Sequence, residues 1–415
     1  MISIHCRIGS CNPSLCVSRT MSKVAFMVIN VYFKFYQIER GETGACRFSS
    51  PMELPSVCDN LESRSQGPGR SELSALIPGL PDDIVVSCLA RVPRRYHPHL
   101  KHVSKRWREL VCSKEWVSYR LKHHLAETWI YALCINKSEE LCIYMLDPNH
   151  FQRGWKLVHG LPSCFLKRKG VGFEVLGTKL FLFGGCGWVE DATSDVFFYD
   201  ALTNMWSAAG CLSTPRSYFA HETLNGKIFA IGGLGSKLGH TNSWDSYDPH
   251  TNCWSPHMDP NVIPHVEDSL VLDGKIYVRC RSQGILPRAY AIVYEPFDET
   301  WNRADADFIS GWCGPAFVID GVLFVVNQIT LGARLMVWQK DRREWITVRR
   351  LSTLLTRPPY RLVAVGKKMF VIGKGLSTVM FDVQDIYHAD RVLLSSSVPG
   401  LISVNDVISC KSLAI

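Results

Sequence analysis

The chain has 415 residues, 47% hydrophobic and 20% charged, enough to bury one large core and a smaller domain. Its net charge of +8 lies wholly in the first 125 residues, because residues 126–415 hold 28 Lys and Arg against 28 Asp and Glu. The larger part therefore lacks the basic footprint of a nucleic-acid reader, and 16 cysteines scattered through apolar runs, with no CxxC, argue against a secreted disulfide framework.

Residues 1–70 read as a disordered leader and linker. No acidic residue precedes Glu39, and Ser, Arg and Lys are common, a composition shared with transit peptides. The apolar run from Val24 to Tyr36 is short and broken by Asn30 and Lys34, so it is not expected to span a membrane. Cys6, Cys11 and Cys16 are evenly spaced, but no zinc pattern follows. An extension with Met21 or Met52 as the working start fits the same residues. Residues 58–75 are polar and rich in Gly, Ser and Arg, as a linker would be.

The next stretch, 71–120, predicts short amphipathic helices. Leu80-Pro81-Asp82-Asp83 puts a proline and two carboxylates at a helix start, where the missing N–H costs nothing and the dipole favours negative charge. Ile84, Val85, Cys88 and Leu89 follow at helix-face spacing, and Pro93 ends that helix or begins the next turn. Leu100, Val103, Trp107, Leu110 and Val111 then step by three or four between Lys and Arg residues. A unit this small cannot bury its apolar side alone, so it needs a neighbouring domain or another protein.

The two segments LPDDIVVSCLARVP and LKHVSKRWRELVCS resemble an F-box, in particular that of the plant F-box/kelch-repeat group of Skp-interacting partners. The resemblance implies docking onto the Skp adaptor, and through it onto the cullin and RING core of an SCF-type ubiquitin ligase. The positions it assigns to that contact are Leu80, Pro81, Ile84, Leu89, Val103, Trp107 and Leu110. A helical cap packed on the β-domain is the plainer alternative.

From Leu125 the pattern turns to alternating β-type runs with an internal repeat. A glycine turn precedes each of five apolar strands, at Gly177, Gly226, Gly274, Gly321 and Gly366. A second landmark follows each strand: Tyr199-Asp200, Tyr247-Asp248, Tyr294-Glu295, Trp338-Gln339 and Phe381-Asp382. Trp206, Trp254, Trp301 and Trp345 come a few residues later, and Trp155 marks one degenerate earlier unit. Asn-Gly and Asp-Gly are strong hairpin signals because both residues tolerate positive φ. The glycine pairs Gly184-Gly185 and Gly232-Gly233 suit close backbone approach, and the Trp pins an outer strand. Each unit is thus one four-stranded blade, and a ring of blades buries the faces and limits open edges.

These units resemble kelch repeats, most clearly around Gly184 and Gly232. The fold expected is a small all-α F-box followed by an all-β, kelch-type propeller of six four-stranded blades. The boundaries read as a leader and linker over 1–70, the F-box over 71–120, the propeller over 125–400 and a tail over 401–415. The family also implies a C-terminal strand that pairs near Trp129 to seal the ring.

Loops after the second and fourth strands of each blade emerge on one face, and rigid scaffolds carry recognition on such loops. Arg216, Arg281, Arg288, Arg334 and Arg357 are the candidates there for binding a protein substrate, with Arg361 near them and an acidic sector at Glu190, Asp191 and Asp195. Arginine suits carboxylate or phosphate groups, because its planar fork bonds them in pairs. The expected function is a non-catalytic substrate receptor of an SCF-type ligase, with no catalytic residues, no cofactor, no nucleic-acid or membrane partner, and a cytoplasmic or nuclear location. One rival is a propeller enzyme holding a metal in its central channel, for which His97, His99, His102, His221, His240, His250, His257 and His265 are the available histidines. The other rival is a kelch scaffold outside any ligase, which leaves the F-box unexplained.

Overall fold

The structure is a computed structural model and describes residues 75–77, 80–235, 242–282, 288–329, 332–351, 357–386 and 396–415. The leader expected over 1–70 lies outside the described residues, as does His240. The chain divides into two compact units, one ending at Leu125 and the other running from Ala126 to Ile415. No helix among the described residues is long and apolar enough to cross a membrane.

Among the described residues the first unit holds four α-helices, α1 (Asp82–Ala90), α2 (His97–Val103), α3 (Lys105–Val111) and α4 (Lys114–Lys122), with a 3-10 turn at Arg94–Tyr96. Pro81 caps α1 and the two aspartates sit in its first turn, as the dipole favours. The run from Leu100 to Val111 is not one helix. Ser104 adopts an extended backbone (φ −156°), and its hydroxyl accepts the Trp107 N–H at 3.1 Å, ending α2 and starting α3. Ser113 caps α4 in the same way, through the Trp116 N–H. Hydrophobic spacing carries straight through this break, so it is visible only as a serine capping signal. Val85, Leu89, Leu100, Trp107, Val111 and Trp116 form a core within this unit.

The second unit is a six-bladed propeller of four-stranded antiparallel sheets. The second to sixth blades occupy 169–208, 220–258, 266–303, 316–351 and 361–398. The first blade takes three strands from 128–158 and its innermost strand from Val404–Ala414. The stretch read as a tail is therefore the strand that closes the ring. Its apolar residues Val404, Val407, Cys410 and Leu413 recur every third residue through register shifts, which hides the strict alternation a strand usually shows. The innermost strands contact one another in cyclic order: Val404–Ala414, Lys169–Leu176, Ala220–Leu224, Val266–Leu272, Ala316–Ile319, Arg361–Val365 and back to the first.

The landmarks do what their chemistry suggests. Tyr199 faces Trp206, Tyr247 faces Trp254, Tyr294 faces Trp301 and Trp338 faces Trp345 across the third and fourth strands, with ring centroids 5.2–5.5 Å apart. Such aromatic pairs add to the area they bury. Gly232 has φ +64°, and a Cβ there would collide with the Ile263 carbonyl of the next blade's entry. Separate apolar clusters fill the seams between successive blades, for example Phe183, Phe219 and Trp254 between the second and third.

Candidate functional site

In the helical unit the seven residues singled out from the sequence fall into two groups. Leu89 and Trp107 belong to the interior, and the Trp107 indole N–H donates to the Leu76 carbonyl at 3.0 Å. They hold the helices together and do not offer themselves to a partner, contrary to their assignment as contact residues. Leu80, Ile84 and Leu110 are half-buried, whereas Pro81 is exposed and Val103 is 57% exposed. Asp82 links the segment before α1 to α3: it accepts the Leu76 N–H at 2.8 Å and pairs with Arg106 at 3.0 Å.

His97, weighed above only as a metal ligand, is a core residue. Its Nε2 lies 3.1 Å from the Val92 carbonyl, its ring stands edge-on to Trp116, and burial followed by the nearby Arg120 guanidinium lowers its pKa to about 3. Arg120 is itself buried and donates to the Ala90 and Val92 carbonyls, tying α4 to the end of α1. Nothing in helical periodicity marks a buried arginine of this kind. His99 and His102 are exposed.

In the propeller, the candidate arginines do not act as a set. Arg216 is interior: it donates to the Gly232 carbonyl at 2.8 Å and pairs with Asp245 at 2.9 Å, with both side chains almost wholly sealed from solvent. Its expected role in binding a substrate is overturned, because the charge is spent on stapling the third blade. Arg281, Arg288 and Arg357 are exposed, and Arg334 and Arg361 half-buried. Arg281 pairs with Glu267, which also meets Arg279 at 3.2 Å. Of the acidic sector, Asp195 is bound to Arg168 at 2.8 Å, which holds its carboxyl below the usual range, while Glu190 and Asp191 stay exposed.

The innermost strands enclose a channel with a cavity of about 740 Å³. Its wall carries a charge cluster that the sequence reading missed. Lys411, on the closing strand, lies 2.6 Å from Glu174 of the second blade and 3.9 Å from Glu222 of the third. His221 Nδ1 lies 3.1 Å from the same Glu174 oxygen, and Ser269 donates to Glu222 at 2.8 Å. Burial alone would push Glu174 up, but Lys411 and His221 outweigh it and hold the carboxyl low. Burial and the neighbouring Glu174 raise Glu222, against the pull of Lys411. Burial raises Asp268, which accepts the Trp312 indole N–H at 3.0 Å. Each of these charged residues lies on an innermost strand, and none of those strands shows the strict alternation in burial that would have marked it.

The other histidines are dispersed. His257 stacks on Trp244 with centroids 3.9 Å apart, while His250 and His265 are exposed. Among the described residues no three His, Cys, Asp or Glu side chains converge as metal ligands.

Comparison with known proteins gives two family matches: an F-box domain over residues 77–118 and the FKB95 kelch-repeats domain over 130–389. The chain is 48% identical to the F-box/kelch-repeat protein SKIP4 of Arabidopsis thaliana over 363 residues, covering 86% of this chain and all of that one. It is 25% identical to the Arabidopsis F-box protein AFR over 358 residues, 81% of this chain and 92% of the other. The closing strand Val404–Ala414 lies beyond the kelch match.

Proposed function

This chain belongs to the F-box/kelch-repeat family, and on that premise we propose that it is the substrate-recognition subunit of an SCF-type ubiquitin ligase. The helical unit docks on the Skp adaptor, and the propeller holds a protein client. Ubiquitin transfer then becomes effectively intramolecular, set by local concentration and not by chemistry in this chain. On this reading the protein is a non-catalytic receptor.

The observation that carries the proposal is apolar surface left open on an otherwise packed unit. Val103 and Pro81 are exposed and Leu80, Ile84 and Leu110 half-buried, while Leu89, Trp107 and Trp116 already supply a core. Surface of this kind on a small charged domain suits a partner helix. We further propose a reducing compartment, cytoplasm or nucleus, which suits the eleven free thiols among the described residues. Co-purification with the Skp adaptor tests the proposal. It stands if the adaptor is retained by the wild-type chain and lost with Val103→Glu, and it falls if the two behave alike.

A further inference from the structure

Resting on that reading, we propose that the client is gripped at the propeller end bearing the loops after each blade's second and fourth strands, and that this end takes a segment joining an apolar residue to nearby Asp or Glu.

Among the described residues, exposed apolar side chains at this end of the second and third blades include Trp188, Val189, Tyr218 and Leu234. Trp188 is 85% exposed and Val189 92%, while Tyr218 and Leu234 are about half exposed. They come from three separate segments, yet the contacts link them. Lys169 Nζ lies 4.8 Å from the Trp188 ring centroid, the adjacent Gly170 carbonyl accepts the Tyr218 N–H at 2.9 Å, and Ser217 pairs with Leu234. Single exposed apolar residues are ordinary, but a linked group with two aromatic rings marks a partner surface.

Tyr218 adds an independent observation. Its φ is +52°, a conformation that bulky L-residues rarely adopt. The other described non-glycine residues at positive φ are Asn, Asp, Glu, His or Arg, except for Leu376, which is fully buried. Leu376 gains full burial from its geometry, whereas Tyr218 holds a strained backbone with its ring against Gly170 and half of its side chain exposed. Strain maintained at a half-exposed aromatic side chain points to a role in contact.

The partner's charge follows from the arginines at this end of the neighbouring fourth blade and of the sixth. The cavity wall runs from Gly170 and Tyr218 to Arg361 on the sixth blade. Arg281, at a strand end and already paired with Glu267, and Arg288 on the fourth blade, with Arg357 at the entry to the sixth, are exposed at this end. Their guanidinium forks match carboxylates. Glu190 and Asp191 beside Trp188 repel acidic groups there, so the segment lies with its apolar residue on Trp188 and Val189 and its acidic residues towards the fourth and sixth blades.

The test uses the full chain and three pools of short fluorescein-labelled synthetic peptides, read by anisotropy. One pool carries Leu or Phe followed by Asp and Glu at degenerate spacing, the second replaces the apolar residue by Ala, and the third replaces the acids by Lys. The first pool is expected to bind wild type about tenfold more tightly than either other pool. Trp188→Ala with Val189→Ser should erase the preference for Leu or Phe over Ala and keep the preference for acid over Lys. Arg281→Glu with Arg288→Glu should do the reverse. Pools that bind alike, or none that binds, overturn the inference. Skp-adaptor binding is measured on the same preparations. Failed pools with adaptor retained overturn the client class alone, and sorted pools with no adaptor binding overturn the ligase reading alone.

Discussion

Lys411 Nζ sits 2.6 Å from Oε2 of Glu174, so the last strand of the chain is tied by charge to the second blade as well as by hydrogen bonds to the first. A propeller closed by its terminal strand depends on that strand staying in place. The ammonium lies between two carboxylates, Glu174 and Glu222, that burial would otherwise penalise.

Removing the ammonium takes the shared lysine from both carboxylates and leaves Glu174 with His221. Lys411→Met is therefore expected to cost about 3–5 kcal/mol, the range for breaking one side of a buried pair. Urea unfolding followed by tryptophan fluorescence checks it. Glu222→Gln is expected to cost far less, since burial already favours the protonated form there.

Acid should loosen the helical unit through His97. Its folded pKa of about 3 lies below the ordinary 6.5, so the stability it contributes is complete above pH 6.5 and drains as pH falls towards 3. Between pH 7 and pH 5 the loss comes to about 2 kcal/mol, from roughly 1.4 kcal/mol per pH unit below the unfolded value. Melting of wild type and His97→Phe across this range checks it: the variant should show a flatter dependence.

Breaking the pair inside the third blade tests whether Arg216 is structural. Arg216→Ala leaves Asp245 buried with only backbone donors such as the Thr214 N–H at 3.0 Å, and should cost about 3–5 kcal/mol. Arg216→Met combined with Asp245→Leu should recover most of this loss. A double-mutant cycle by chemical denaturation measures the coupling.

Gly232→Val combines a left-handed backbone with a β-branched side chain aimed at the Ile263 carbonyl. It should destabilise the propeller by more than about 2 kcal/mol. Near-ultraviolet circular dichroism of the aromatic pairs reports it. Adaptor binding should persist, because the helical core lies within its own compact unit.

The repeat was legible because its chemistry is local. Asn225-Gly226 and Asp273-Gly274 need positive φ wherever they occur, and the Tyr–Trp pairs follow each turn at near-constant spacing. Blade number followed from counting them. Long-range pairing was harder to read. Arg216 looks like any loop arginine until Asp245, 29 residues on, is seen beside it, and Lys411 meets Glu174 only once the ring closes. In the helical stretch, spacing marked Leu89, Val103 and Trp107 equally as apolar. Only the packing separates Val103, which is open, from the other two, which are core.

The most direct test of the account is calorimetric titration of the purified Skp adaptor into the full chain, wild type against Val103→Glu. Val103 is 57% exposed, so the variant should keep the wild-type melting curve. Saturable binding by wild type, weakened at least about tenfold in the variant, is the predicted result. No binding by wild type, or equal binding by both, would contradict the assignment of this chain to a Skp-linked ligase.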